Sequence, residues 1–194
     1  MSYIGWQKPA FQDALVHTPY LVKHKNQYYR LLTSGFVHAN YAHLLFNMLT
    51  LYFFGDQVEG LLEFQTRQNG ALLLLGVYIG GLIVSDLPTF VRHREHPRYQ
   101  SLGASGGVSA VVFSYITLNP VQNLCLFFIF CLPGFMLAAI YLIYSWYMAK
   151  NPADHINHEA HLYGALFGIL YTVYFYPAAA TTFPEKVFQL RLFF

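Results

Sequence analysis

Five long apolar stretches, separated by short polar connections, leave this chain very few ways to fold. They run over Tyr41–Val58, Ala71–Leu87, Leu102–Leu118, Leu124–Met148 and Ala160–Tyr176, and each approaches the roughly 20 apolar residues a helix needs to cross a bilayer. None shows the strict alternation of a barrel strand, so the pattern predicts an all-α, polytopic membrane bundle of five spans. Composition agrees, because 56% hydrophobic against 10% charged residues is the balance of an integral membrane protein. A scattered net charge of +2 offers nucleic acid no basic surface.

The connections are legible as well. Asp56 to Gly70 reads as an amphipathic surface segment, and Ser85 to Ser101 as a polar loop rich in arginine and histidine. Asn119 to Asn123 is a tight turn, and the segment from Lys150 to Asn157 carries Asn-Pro turn chemistry at Asn151-Pro152. Cys125 and Cys131 sit in one apolar run, where they read as small packed hydrophobes that do not pair. Pro133-Gly134 falls midway along the fourth stretch and reads as a kink. A single domain, 1–194, accounts for the chain: an N-terminal segment 1–40, a five-helix core 41–176 and a tail 177–194.

Polar side chains at membrane depth mark function. The first stretch carries His43 and Asn47 on one helix face, with His38 just ahead of it. On the third are Ser105 and Ser109, with Gly103, Gly106 and Gly107 around them, and at the head of the fifth His158, Glu159 and His161 precede Gly164 and Gly168. A serine nucleophile needs a base, donors aimed at an oxyanion and room for close approach. Ser105 stands where a helix starts, so unsatisfied N–H groups and the positive dipole end point toward it. Asn47 and His43 can add side-chain donors. His161 is the candidate base, because Gly164 and Gly168 share its face and let another helix pack closely.

Each feature alone has an ordinary structural explanation: a cap at Ser105, an interhelical hydrogen bond at His161, packing at the glycines. Their joint occurrence on three stretches favours catalysis. It also resembles the rhomboid family of intramembrane serine proteases. The family's arginine and histidine box ending HxxxN correspond to Arg30, His38, His43 and Asn47, its GxSG motif to Gly103-Ala104-Ser105-Gly106, and its glycine-backed histidine to His161, Gly164 and Gly168. The resemblance implies a Ser105–His161 dyad that cleaves transmembrane segments of protein substrates, with no cofactor or metal. Asn47, His43 and Gly103 would serve the oxyanion and position substrate, while Arg30, His38, Glu59, Ser109, Gly164 and Gly168 would give structural support. It further implies a multi-pass protein of a bacterial inner or plasma membrane, with residues 1–40 and the active-site mouth extracytoplasmic.

The chain departs from the family pattern in three places. The usual first span is absent before the histidine box, so about 15–20 further apolar residues are expected upstream. Ser109 stands where many members place an aromatic residue against the catalytic histidine, and Tyr29 precedes Arg30 where tryptophan is frequent. Charge also opposes the family's orientation. Lys8, Lys23, Lys25, Arg30, Arg92, Arg94, Arg98 and Lys150 lie on the mouth side, leaving Arg67, Lys186 and Arg191 opposite. Two other functions are open to this sequence: an inactive rhomboid-like binder of membrane proteins, and a zinc hydrolase using His38, His43, His158 and His161. The second is weak, because His158 and His161 are three apart where HExxH needs four.

Overall fold

The structure is a computed structural model and describes residues 1–126, 130–151, 154 and 156–190. Pro152 and Arg191, named above for turn chemistry and charge, lie outside the described residues. Four short helices lead in: α1 (Ser2–Gln7), α2 (Pro9–Leu15), α3 (Pro19–Lys25) and α4 (Arg30–Thr33), continued by a 3-10 turn over Ser34–Phe36. Pro9 and Pro19 each open a helix, where the missing N–H costs nothing. Arg30 fastens this segment from within. Its guanidinium donates to the carbonyls of Asp13 and Val16, both at 2.7 Å, and to Gln27 Oε1 at 2.6 Å.

The long elements are α5 (Tyr41–Thr66), α6 (Gly70–His93), α7 (Ser105–Leu118), α8 (Gly134–Lys150), α9 (His158–Phe175) and α10 (Ala179–Leu190). Asparagines cap three of them: Asn40 accepts from the His43 N–H, Asn69 from Leu72 and Asn157 from Ala160. Helix α7 is the axis of the bundle, buried from Gly106 to Leu118 at all positions but Val112 and packed by α5, α6 and α9. Val58, Leu62, Leu73, Val77, Val111, Tyr115 and Ile116 form the apolar core. Lys186 of α10 donates to the Leu118 carbonyl at 2.8 Å, placing a cation on the orphan carbonyls at the end of α7.

Several expectations need correction. The segment from Asp56 is not a surface connection, because α5 runs on to Thr66 with Val58 and Leu62 fully buried on the same face. The Ser85–Ser101 loop is helical as far as His93; Ser85, Asp86 and Thr89 are polar because they face the protein interior, not because they leave a helix. The fourth stretch is not one helix, although the fold is predominantly helical. A two-stranded antiparallel hairpin, β1 (Asn123–Leu126) and β2 (Phe130–Pro133), precedes α8. Cys125 faces Cys131 directly in its register, and the two form a disulfide. Pro133-Gly134 is therefore the start of α8, not a kink within it.

The helical bundle holds, but a count of five spans does not follow from helix length and composition. Among the described residues α6 alone is long and apolar enough to cross a membrane, and α9 with α10 passes only as a pair bent by 110°. Helix α5 is long but carries Asp56, Glu59 and Glu63, while α7 has 14 residues and spans only about 21 Å.

Helices α7 and α9 approach backbone to backbone. A Cβ on Gly164 would collide with the Gly106 carbonyl, and one on Gly168 with that of Ala110, so no side chain fits at either position. Thr172 Oγ1 donates to Ser114 Oγ at 2.7 Å one turn further along the same seam. We expect Gly168→Val to cost at least the roughly 1–3 kcal/mol of overpacking, read as a lower thermal midpoint in detergent. Gly60→Ala, at a helical position surrounded by open space, should raise that midpoint slightly. Equal midpoints for the two variants would show that the seam does not depend on the missing side chains.

Candidate active site

The seam fixes what faces what at the mouth of the bundle. Ser105 is the first residue of α7 and His161 lies in the first turn of α9, and Ser105 Oγ stands 2.9 Å from His161 Nε2. Both residues are partly open to the surroundings, unlike most of α7. A neutral imidazole accepting from the hydroxyl is the arrangement for removing its proton. The orphan N–H groups of the first turn of α7 surround the same point.

The loop before Ser105 is held in an unusual shape. Gly103 has φ +120°, a region closed to residues with a Cβ, and a side chain there would strike the His43 ring. The Gly103 N–H donates to the Ser34 carbonyl at 3.0 Å. Ala104 N–H donates to His38 Nε2 at 3.3 Å, so Nε2 carries no proton; Nδ1–H then donates to Ser2 Oγ at 3.0 Å, which donates to the Phe36 carbonyl at 3.3 Å. One neutral tautomer of His38 thus links α1 to the residue before Ser105. Its ring meets that of His43 edge-on at 5.0 Å, and burial, His43 and the N-terminal ammonium together push its pKa down to about 4.

His17 supports the loop from the other side. It pairs with Ser101 as an isolated β-bridge, with N···O distances of 2.9 and 3.0 Å, and its fully buried ring reaches Asp86 Oδ2 and Ser101 Oγ, both at 3.3 Å. Ser34 Oγ donates to the same Asp86 oxygen at 3.2 Å. A small cavity of about 20 Å³ lies under the loop, lined by Ser34, Ser85, Asp86, Ser101, Ser105 and Asn157 among others. Further out, Arg92 pairs with Glu159 at 3.0 Å and donates to the Ala149 carbonyl, tying the ends of α6, α8 and α9.

Of the residues singled out in the sequence, the structure brings Ser105, His161, His43, Gly103 and His38 together. Arg30 acts at a distance by fixing the lead-in helices. Asn47 is buried one turn below His43 and donates to the His43 carbonyl at 2.8 Å, so one of its N–H groups is engaged within its own helix. Glu59 is not part of this site. It lies near the other end of α5, lining a cleft of about 840 Å³ with Asp56, Leu74 and Tyr78. The four histidines of the zinc alternative fall into two pairs, and among the described residues no three His, Cys, Asp or Glu side chains converge as a metal requires.

The sequence reading missed five groups. His17, Asp86 and Ser2 gave no local signal, since each partner comes from a distant segment. Tyr141 on α8 lies against His161, and Tyr144 meets His158 edge-on at 5.4 Å. The matched spacing of three on both helices was a usable signal.

A family model described as Rhomboid domain matches residues 25–178. The chain is 31% identical over 151 residues to RHOMBOID-like protein 12, mitochondrial, of Arabidopsis thaliana, covering 70% of this chain and 43% of that protein. Identity to the human presenilin-associated rhomboid-like protein, mitochondrial, is also 31% over 151 residues, covering 74% and 37%. A Bacillus subtilis protein named as a candidate rhomboid protease is 30% identical over 97 residues, or 50% of this chain and 44% of its own length. The chain therefore spans less than half the length of these relatives. Two of the three names place their proteins in mitochondria, so the similarity lends no support to the bacterial inner or plasma membrane expected above.

The His38 link makes a pH dependence. Its pKa in the fold lies below the ordinary 6.5, so the unfolded chain binds the proton more readily. The stabilisation is complete above about pH 6.5 and declines as pH falls toward about 4. We expect thermal stability in detergent to drop across that window, and His38→Gln to make the drop shallower. An unchanged slope in His38→Gln would remove His38 from the cause.

Proposed function

This chain belongs to the rhomboid family and is an integral membrane protein, and from that premise we propose that it is a serine endopeptidase cleaving transmembrane segments of other membrane proteins. The carrying observation is the 2.9 Å approach of Ser105 Oγ to His161 Nε2 at a helix N-terminus. His161 takes the hydroxyl proton as Ser105 Oγ attacks the scissile carbonyl carbon. The tetrahedral oxyanion then faces the Ser105 N–H, with Asn47 and His43 as side-chain donors. Collapse breaks the C–N bond, and His161 returns the proton to the leaving amine. A water activated by the same imidazole hydrolyses the acyl-enzyme. The cavity beside Ser105 is about the size of one water molecule and is polar.

In this reading α5 to α9 are the five membrane-crossing segments of the chain. The short α7 is tolerated because protein, not lipid, surrounds it. A substrate helix must unwind before its carbonyl reaches Ser105, which favours substrates with helix-poor residues near the cleaved bond. The engaged dyad is what supports an active enzyme over an inactive binder.

Ser105→Ala and His161→Ala should each abolish cleavage of a model transmembrane substrate while the protein stays folded. The double variant should be no worse than either, as for groups acting together. Asn47→Ala should cost about 10²-fold in kcat if its amide turns to the oxyanion. A chelator should change nothing. Substantial cleavage by Ser105→Ala, or activity lost to a chelator and restored by zinc, would overturn the proposal.

A further inference from the structure

The base of this dyad is braced by an unexpected helix. Position 109, one turn after the nucleophile on α7, holds a serine too small to reach His161. The aromatic ring comes instead from Tyr141 of α8, parallel to the His161 imidazole within 23° at a centroid distance of 6.2 Å. Phe113 of α7 flanks the same ring at 5.3 Å. The Tyr141 hydroxyl lies 2.7 Å from Ser109 Oγ. Ser109 and Tyr141 are thus two halves of one device, in which the serine leaves space for the ring and anchors its hydroxyl. Helix α8 is otherwise thinly packed, with Gly134 and Ser145 its only buried residues.

Resting on the proposed dyad, we propose that Tyr141 is the positioning residue for His161, and that Ser109 sets its place. The orientation of the general base then depends on the seating of α8 against α7. Displacing α8 by the width of a hydrogen bond withdraws the ring, and His161 gains freedom to rotate away from Ser105. An off-line base lowers the chemical step more than substrate binding.

The test uses the full chain in detergent or lipid, with cleavage kinetics and the rate of fluorophosphonate labelling at Ser105. Tyr141→Ala should lower kcat at least tenfold with KM within about threefold, and slow labelling in parallel. Tyr141→Phe and Ser109→Ala should each cost only a few-fold, and the double variant no more than either single one. Ser109→Phe should restore part of the activity of Tyr141→Ala by supplying a ring from α7, a rescue that a purely structural role for Tyr141 would not give. Wild-type protein that takes no label would refute the dyad itself. Normal labelling in folded Tyr141→Ala, or additive losses in the Tyr141→Phe, Ser109→Ala pair, would refute the positioning role alone.

A different pair of observations carries a second inference. The hairpin disulfide lies beyond the C-terminal end of α7, and Ser105 at its N-terminal end, so they occupy opposite faces of the bundle. Disulfides form in oxidising compartments. Eight of the eleven lysines and arginines lie on the mouth side, and such residues gather on the inner face. We infer that the active-site mouth faces the reducing, inner side of its membrane and the hairpin the outer side, the reverse of the orientation the family resemblance implies. In sealed vesicles with the outer face exposed, an impermeant maleimide should miss a Gln100→Cys reporter until the membrane is permeabilised. An impermeant reductant added outside should open Cys125 and Cys131 to it. Labelling of Gln100→Cys in sealed vesicles, or native cysteines that impermeant reductant and maleimide reach only after the membrane is permeabilised, would overturn the orientation.

Discussion

The close approach of α7 to α9 is the constraint from which the site follows. Where two helices meet with side chains between them, their axes stand about 8–10 Å apart, and small changes of side chain shift their relative height. Here the carbonyls of Gly106 and Ala110 occupy the space a Cβ would need on Gly164 and Gly168. Backbone cannot repack as a side chain can, so the relative height of the two helices is set by the main chain. Ser105 lies one residue before Gly106, and His161 one turn before Gly164. The residues that set the seam therefore also set the distance between hydroxyl and imidazole.

Around that seam, the polar groups of the mouth are satisfied chiefly by one another and by backbone. Arg30 is spent on carbonyls, His38 on an N–H and a serine, and Asp86 on Ser34 and His17. Each buried group left without a partner would cost a large share of a hydrogen bond or more, so removing one end loosens a chain of others. The lead-in helices, which bury little apolar core of their own, are held to the bundle by these bonds. They in turn hold the Gly103 loop in the conformation that presents Ser105.

Much of this was legible in the sequence because the features were local. The GASG turn, the i, i+4 pair His43 and Asn47 and the spacing of Gly164 and Gly168 after His161 each state a geometry within one helix. Mean apolarity was a poorer guide. It could not tell the interior-facing Ser85, Asp86 and Thr89 from loop residues, nor carry α5 past Asp56, because burial inside a membrane protein follows neighbours more than composition. The stretch from Leu124 to Met148 is equally apolar as hairpin and as helix. Pairing of Cys125 with Cys131 became visible only once the strands put them opposite each other.

The partial exposure of α8 has a physical logic of its own. In the proposed protease the bundle has to admit a substrate helix and so leave one element weakly held, and an element buried on all sides cannot be that one. Helix α7 is excluded by its burial, and α9 by the glycine seam. Helix α8 faces outward along most of its length, with Ile143, Tyr144, Trp146 and Tyr147 exposed. It is tied at one end by backbone bonds from Gly134 to Gln122 and from Phe135 to Pro120, and at the other by the Arg92 contact with Ala149. Between those ends its polar hold on α7 is the hydroxyl pair of Tyr141 and Ser109. An aromatic ring placed there reaches His161 only while the helix is seated, so under the proposed function the element best able to yield to substrate is also the one that holds the base in line.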